Sequence, residues 1–230
     1  IPYNVVSGSS LTKYAVDFYY PDESDAGPYP LPPEPLIEYG SDHHILVLDT
    51  DDCRLYEIYD AGFDNGNWSG GSGAIWDLNS NALRPATWTS ADAAGLPILP
   101  GLVRYDEIAA GEIKHALRFT IERTAGYIWP ARHLTSDPQG GIPPMGARFR
   151  LKASVNINGF SPHAKVIAQA MKTYGIINAD NGLLVMSIII ALLIYVLTME
   201  KIKAIATLKL MGADNWVIVR LILEQSLVIT

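Results

Sequence analysis

Apolar residues alternate with polar ones, or cluster with β-branched and aromatic types, over residues 14–20, 44–49, 55–59, 73–78, 115–121 and 148–156. A period of two turns one side of an extended chain toward a core, and clusters of Gly, Pro, Asn and Asp separate these stretches. The pattern predicts a mainly β chain: an antiparallel β-sandwich or jelly-roll-like domain over residues 1–182. One helix is predicted over 161–174. Ser161 and Pro162 supply its N-cap and first-turn proline. Ala164, Ile167, Ala168 and Met171 then recur at helical spacing, and Gly175 ends the run. Ser90 opens a shorter helical turn over 90–94. Residues 21–35, with six prolines and four acids, read as a covering arm, and 138–144 as a second proline-rich loop.

The pattern changes at residue 183. Residues 183–199 carry no charge, and Ser187, Tyr195 and Thr198 are their only polar side chains. A helix needs about 17 to 25 apolar residues to cross a bilayer, so a transmembrane helix is expected here. Lys201, Lys203 and Lys209 follow it, which puts the C-terminal side in the cytoplasm and residues 1–182 outside. Residues 200–215 form a short helical register of Ile202, Ile205, Leu208 and Met211. Residues 216–230 begin a second membrane helix, with Arg220 and Glu224 one turn apart.

Charge narrows the partners. The chain of 230 residues has a net charge of −7, and residues 1–182 hold 13 basic against 21 acidic side chains. With no basic patch to displace counterions, nucleic acid is excluded as a partner. The single Cys53 excludes an internal disulfide and reads as a small buried strand residue. The chain starts at Ile1 without a methionine, as a processed form or fragment would.

Candidate chemistry is sparse. His43 and His44 stand near Asp49, Asp51 and Asp52, but adjacent histidines on a strand point apart, so the acids are read as a turn and no metal site is assigned. Asp106 and Glu107 diverge in the same way; pairing one of them with Asp92 is the alternative to a surface loop and helix cap at 104–107. His115 shares a face with Leu117 and Phe119, opposite Arg118, and reads as a buried, hydrogen-bonded histidine. No Gly-x-Ser-x-Gly elbow or P-loop is present. Trp68, within the polar loop 65–71, and the Arg132-His133 turn combine rings, donors and flexible backbone, which makes them the candidate ligand site.

Two resemblances extend this reading. Residues 197–213 (LTMEKIKAIATLKLMGA) resemble the FtsX-like, MacB-type permeases of ABC transport systems. The resemblance implies that Ile205, Ala206, Leu208, Lys209, Gly212 and Ala213 couple to an ABC ATPase subunit; Ala204 departs from the acidic residue common there. The phrases GAIWDL (73–78), NALRP (81–85), ADAAGLPI (91–98), RYDE (104–107) and HALRFT (115–120) are similar to a group of uncharacterised exported bacterial β-rich proteins. The junction between Gly182 and Leu183 is then either a domain boundary or a fused reading frame.

The expected function is a non-catalytic membrane component of an ABC-type export or cell-envelope system, in the bacterial cytoplasmic membrane. The alternative is a secreted or periplasmic carbohydrate-binding or carbohydrate-active protein with an incidental hydrophobic tail. Expected partners are the lipid bilayer, an ABC ATPase and envelope polysaccharide. No cofactor and no catalytic residue is assigned.

Overall fold

The computed structural model describes residues 1–134 and 140–182. The expected transmembrane helix, the coupling residues Ile205, Ala206, Leu208, Lys209, Gly212 and Ala213, and the second membrane helix lie outside the described residues.

Short elements follow in chain order: β1 (Asn4–Val6), β2 (Val16–Phe18), β3 (Ile45–Asp49), β4 (Arg54–Tyr59), β5 (Gly62–Asp64), β6 (Asn67–Gly70), β7 (Ser72–Asp77), α1 (Tyr105–Ala110), β8 (Leu117–Ile121), β9 (Arg148–Phe149), α2 (Pro162–Thr173) and β10 (Ile176–Asn181). They build three small sheets, ordered β1-β3-β4-β7, β2-β6-β5 and β8-β10-β9. The apolar run of β3 follows from its central place, because both faces of its sheet are covered. On one face Ile45, Val47, Tyr56 and Ile58 meet Phe18, Tyr29, Leu31 and Trp68. On the other, Leu46, Leu55, Ala74 and Trp76 meet Ala91, Ile98 and Leu99.

The fold is therefore not the expected antiparallel sandwich or jelly roll. It is a mixed α/β arrangement, because each sheet contains one parallel pair: β1 with β3, β2 with β6, and β8 with β10. Alternation marks a strand but carries no information on the direction of its partner. Parallel neighbours need a crossover of a dozen or more residues, and the long stretches of chain between these paired strands provide it. The arm over 21–35 lies in the crossover from β2 to β6. It also fills the core: Tyr29 is fully buried, edge-on to Phe18 and Tyr56, and exchanges two backbone hydrogen bonds of 2.8 Å with Tyr14.

Helix α2 lies in the crossover from β8 to β10. Ser161 caps it through its side-chain oxygen, which accepts from the Ala164 amide (3.3 Å), and Gly175 follows it with φ of 84°. Its apolar face packs Val166, Ile167, Ala170 and Met171 against Ile108, Ile113, Leu117 and Ile176. Residues 90–94 are not helical: Ser90 folds its hydroxyl onto the Asp92 and Leu96 carbonyls, a local bond that competes with a helix. Cys53 is exposed in the β3–β4 turn at φ of 50°, not buried in a strand. Asp49 ends β3 and Asp51 stands in the turn after it: the Asp49 carboxylate accepts from the Gly8 and Asp51 amides, and Asp51 accepts from Ser7 and Ser9.

Among the described residues no helix is long and apolar enough to cross a membrane. The membrane and permease terms of the sequence reading find no support in these residues and are not carried further.

Candidate cleft with buried carboxylates

The segment from Thr89 to Leu96 runs between the central sheet and β10, held from both sides. The Ala94 amide donates to the Ala179 carbonyl on β10 (3.0 Å), the Arg132 amide to the Ala94 carbonyl (2.8 Å), and the Ser72 hydroxyl to the Ser90 carbonyl (2.7 Å). A cleft of about 480 Å³ opens beside it. Its walls come from distant parts of the chain: Tyr20 just before the arm and Glu23 within it, Asp42 and His44 from the entry to β3, Tyr59 from β4, His133, and Asp180 with Asn181 from β10.

Below this wall lies a chain of ionisable groups. Arg118 forks onto Asp92, with Nε 3.0 Å from Oδ2 and Nη2 2.6 Å from Oδ1, and the same Nη2 lies 3.5 Å from Asp180 Oδ2. Asp92 is wholly buried, which raises its carboxyl, and the bidentate Arg118 guanidinium opposes part of that rise. The Arg118 guanidinium is held charged by its acidic neighbours, against the effect of burial. Asp180 is placed differently. Burial raises its carboxyl first and the negative Asp92 adds to this, so that it is pushed up to about 7 despite Arg118. A carboxyl that reaches the cleft and titrates near neutrality can both hold and release a proton.

Glu57 is fully buried on β4 but serves the fold. It accepts from the Ile98 and Leu99 amides (2.9 Å each) and from Trp76 Nε1 (3.2 Å). These partners are all donors and oppose the upward push of burial. Arg84 has a similar structural role, bound to the carbonyls of Thr89 and Glu23 and stacked near Trp76 and Trp88.

Two histidines face the cleft with matched settings. His44 Nε2 donates to the Ala91 carbonyl (3.0 Å), and its Nδ1 contacts Glu38. Burial lowers His44, but the Glu38 carboxylate prevails and raises it; in return the His44 hydrogen bond lowers Glu38. His133 Nδ1 donates to the Ala93 carbonyl (3.0 Å), and its Nε2 stands 3.5 Å from Glu23.

The residues singled out from sequence are divided. His133 lines the cleft, whereas Arg132 beside it donates from Nε to the Arg84 carbonyl (2.9 Å) and steadies the turn. Trp68 is not in a flexible loop. It sits on β6, opposite Val16 and Phe63, and is 7% exposed in the core. His43 is exposed and turned toward Asp60, so the adjacent histidines do point apart. Glu107 pairs with Arg104 and His115, not with Asp92. Asp180, Arg118, Glu38 and Asp42 were not singled out as site residues. Arg118 carried the one available signal, a charge inside an apolar strand.

Comparison with family models, curated proteins and solved structures returns no match. The permease resemblance thus gains no support from a family match, and the site must be read from its own chemistry.

Proposed function

We propose that this cleft binds a saccharide and that Asp180 is its proton donor, making the protein carbohydrate-active. The observation that carries the reading is the Asp180 carboxyl, open to the cleft, set against the Arg118–Asp92 pair and poised to be protonated near neutral pH. Its neighbours favour a polyhydroxylated ligand. Glu23 and Asp42 repel phosphates and other anions, and among the described residues neither Lys nor Arg lines the cleft. Hydroxyls of Thr89 and Tyr59 supply polar partners, and Tyr20, about half exposed at the rim, offers a ring face for a sugar. A secreted or periplasmic setting goes with this proposal, since envelope polysaccharides are met there.

The test uses the full chain on a panel of envelope polysaccharides, measuring retention and release of reducing ends. Wild type is expected to be retained and to release ends, with the Asp180 proton going to the leaving oxygen and water completing the cleavage. Asp180→Asn is expected to keep retention and lose release. Absence of retention by wild type across the panel overturns the saccharide reading; retention without release removes the acid role of Asp180.

A further inference from the structure

We infer that Glu38, Asp42 and His44 form a binding site for a divalent transition ion of the zinc class. The site does not depend on the saccharide reading. It comes from one short loop whose ends are tied together: the Glu38 amide donates to the His44 carbonyl (2.9 Å). The loop is also fixed to the end of β4, where the Asp60 amide donates to the Asp42 carbonyl (2.8 Å) and the Ala61 amide to the His43 carbonyl (3.2 Å). Ligand atoms of the three side chains lie within 4.8 Å of one another. Bonds of about 2.0 to 2.2 Å place tetrahedral ligand atoms roughly 3.4 Å apart, a geometry that side-chain torsions can reach.

The setting of His44 also aims a ligand atom into the cluster. Its Nε2 faces the Ala91 carbonyl, which only accepts, so Nε2 carries the proton. Neutral His44 would then present the Nδ1 lone pair to the Glu38 carboxylate, two acceptors in contact. A divalent ion seated between Nδ1 and this carboxylate gains both groups as ligands. The Ala91 carbonyl meanwhile does what the outer partner of a metal-bound imidazole does, fixing tautomer and ring orientation. Asp42, exposed at the cleft edge, provides the third ligand. Two carboxylates with neutral imidazole carry a charge of −2, which one divalent ion cancels. One nitrogen and two carboxylate oxygens suit zinc or cobalt, and the open cleft leaves room for a water in the fourth position.

The experiment is calorimetric titration of the full chain with Zn²⁺ near neutral pH, in buffers of different ionisation enthalpy, with Co²⁺ absorption as a report on coordination. One ion should bind per chain with release of a proton, and Co²⁺ should develop visible d–d bands. Asp42→Asn, a surface change that leaves the fold intact, should weaken Zn²⁺ at least tenfold; so should Glu38→Gln. Asp60→Asn, which removes the neighbouring His43–Asp60 pair and none of the three ligands, should leave Zn²⁺ affinity unchanged. Absence of stoichiometric binding overturns the inference. So does equal affinity in wild type, Asp42→Asn and Glu38→Gln, or loss of binding in Asp60→Asn alone.

Discussion

Replacing Asp180 by Asn tests the electrostatics of the cleft floor directly. The Asp180 carboxyl is raised from 3.8 to about 7 on folding, a shift of roughly three units, or about 4 kcal/mol at 1.36 kcal/mol per unit. The side chain is only 24% exposed, so solvent screens this little. The sign follows from proton counts. Between about pH 4 and pH 7 the folded chain holds a proton at Asp180 that the unfolded chain has released, so stability falls as pH rises through this window and levels off above it. The amide introduced by Asp180→Asn never ionises and escapes that loss. The variant should therefore gain on wild type with rising pH, with roughly 2.5 of the 4 kcal/mol appearing between about pH 5 and pH 8. Urea unfolding of both proteins at the two pH values measures the difference. A gap that is the same at both, or that shrinks as pH rises, would show that Asp180 is ionised in an ordinary setting and would remove the proton-donor role with it.

Arg118→Met leaves Asp92 buried without its ion-pair partner and should cost about 3 to 5 kcal/mol in urea unfolding; adding Asp92→Asn should restore a large part, and equal costs in the single and double variants would refute the pairing. Trp68→Ala should lower stability by about 3 to 5 kcal/mol, because the ring fills the core between β2 and β5, and an unchanged melting temperature would place it outside that core. His133→Ala should cost about 1 kcal/mol from its lost hydrogen bond while reducing retention on polysaccharide, and full retention would take His133 out of the ligand site.

The difference between Trp68 and His133 shows how far the chain could be read. Both follow clusters of polar residues and glycine or proline, and sequence alone put both on exposed ligand-binding segments. Trp68 is recruited into a strand because β2, some fifty residues earlier, pairs with it in parallel. No local signal announces that partner. His133 keeps its place at the cleft because its turn is anchored by the Ala93 and Ala94 carbonyls.

Local signals did determine local structure. The Ser161-Pro162 start and Gly175 stop of α2 follow from capping and backbone chemistry, and both appear where the residues require them. The strands β3, β4, β7 and β8 fall within, or a residue or two from, the stretches where apolar alternation or β-rich composition placed them. His43 and His44 do take different surroundings, but not through a strand period: both precede β3, and His43 has left-handed backbone at φ of 43°. Pairing direction was decided elsewhere, since a parallel pair depends on what a long crossover can cover, and this separates a mixed α/β fold from the antiparallel sandwich expected. The cleft belongs to the tertiary structure for the same reason. Asp92, Arg118 and Asp180 are far apart in sequence, and apart from the charge of Arg118 inside an apolar strand nothing local ties them to one site. Only folding puts two carboxylates on one guanidinium beneath a loop, and the low dielectric and mutual repulsion created there raise Asp180 to where it can exchange a proton.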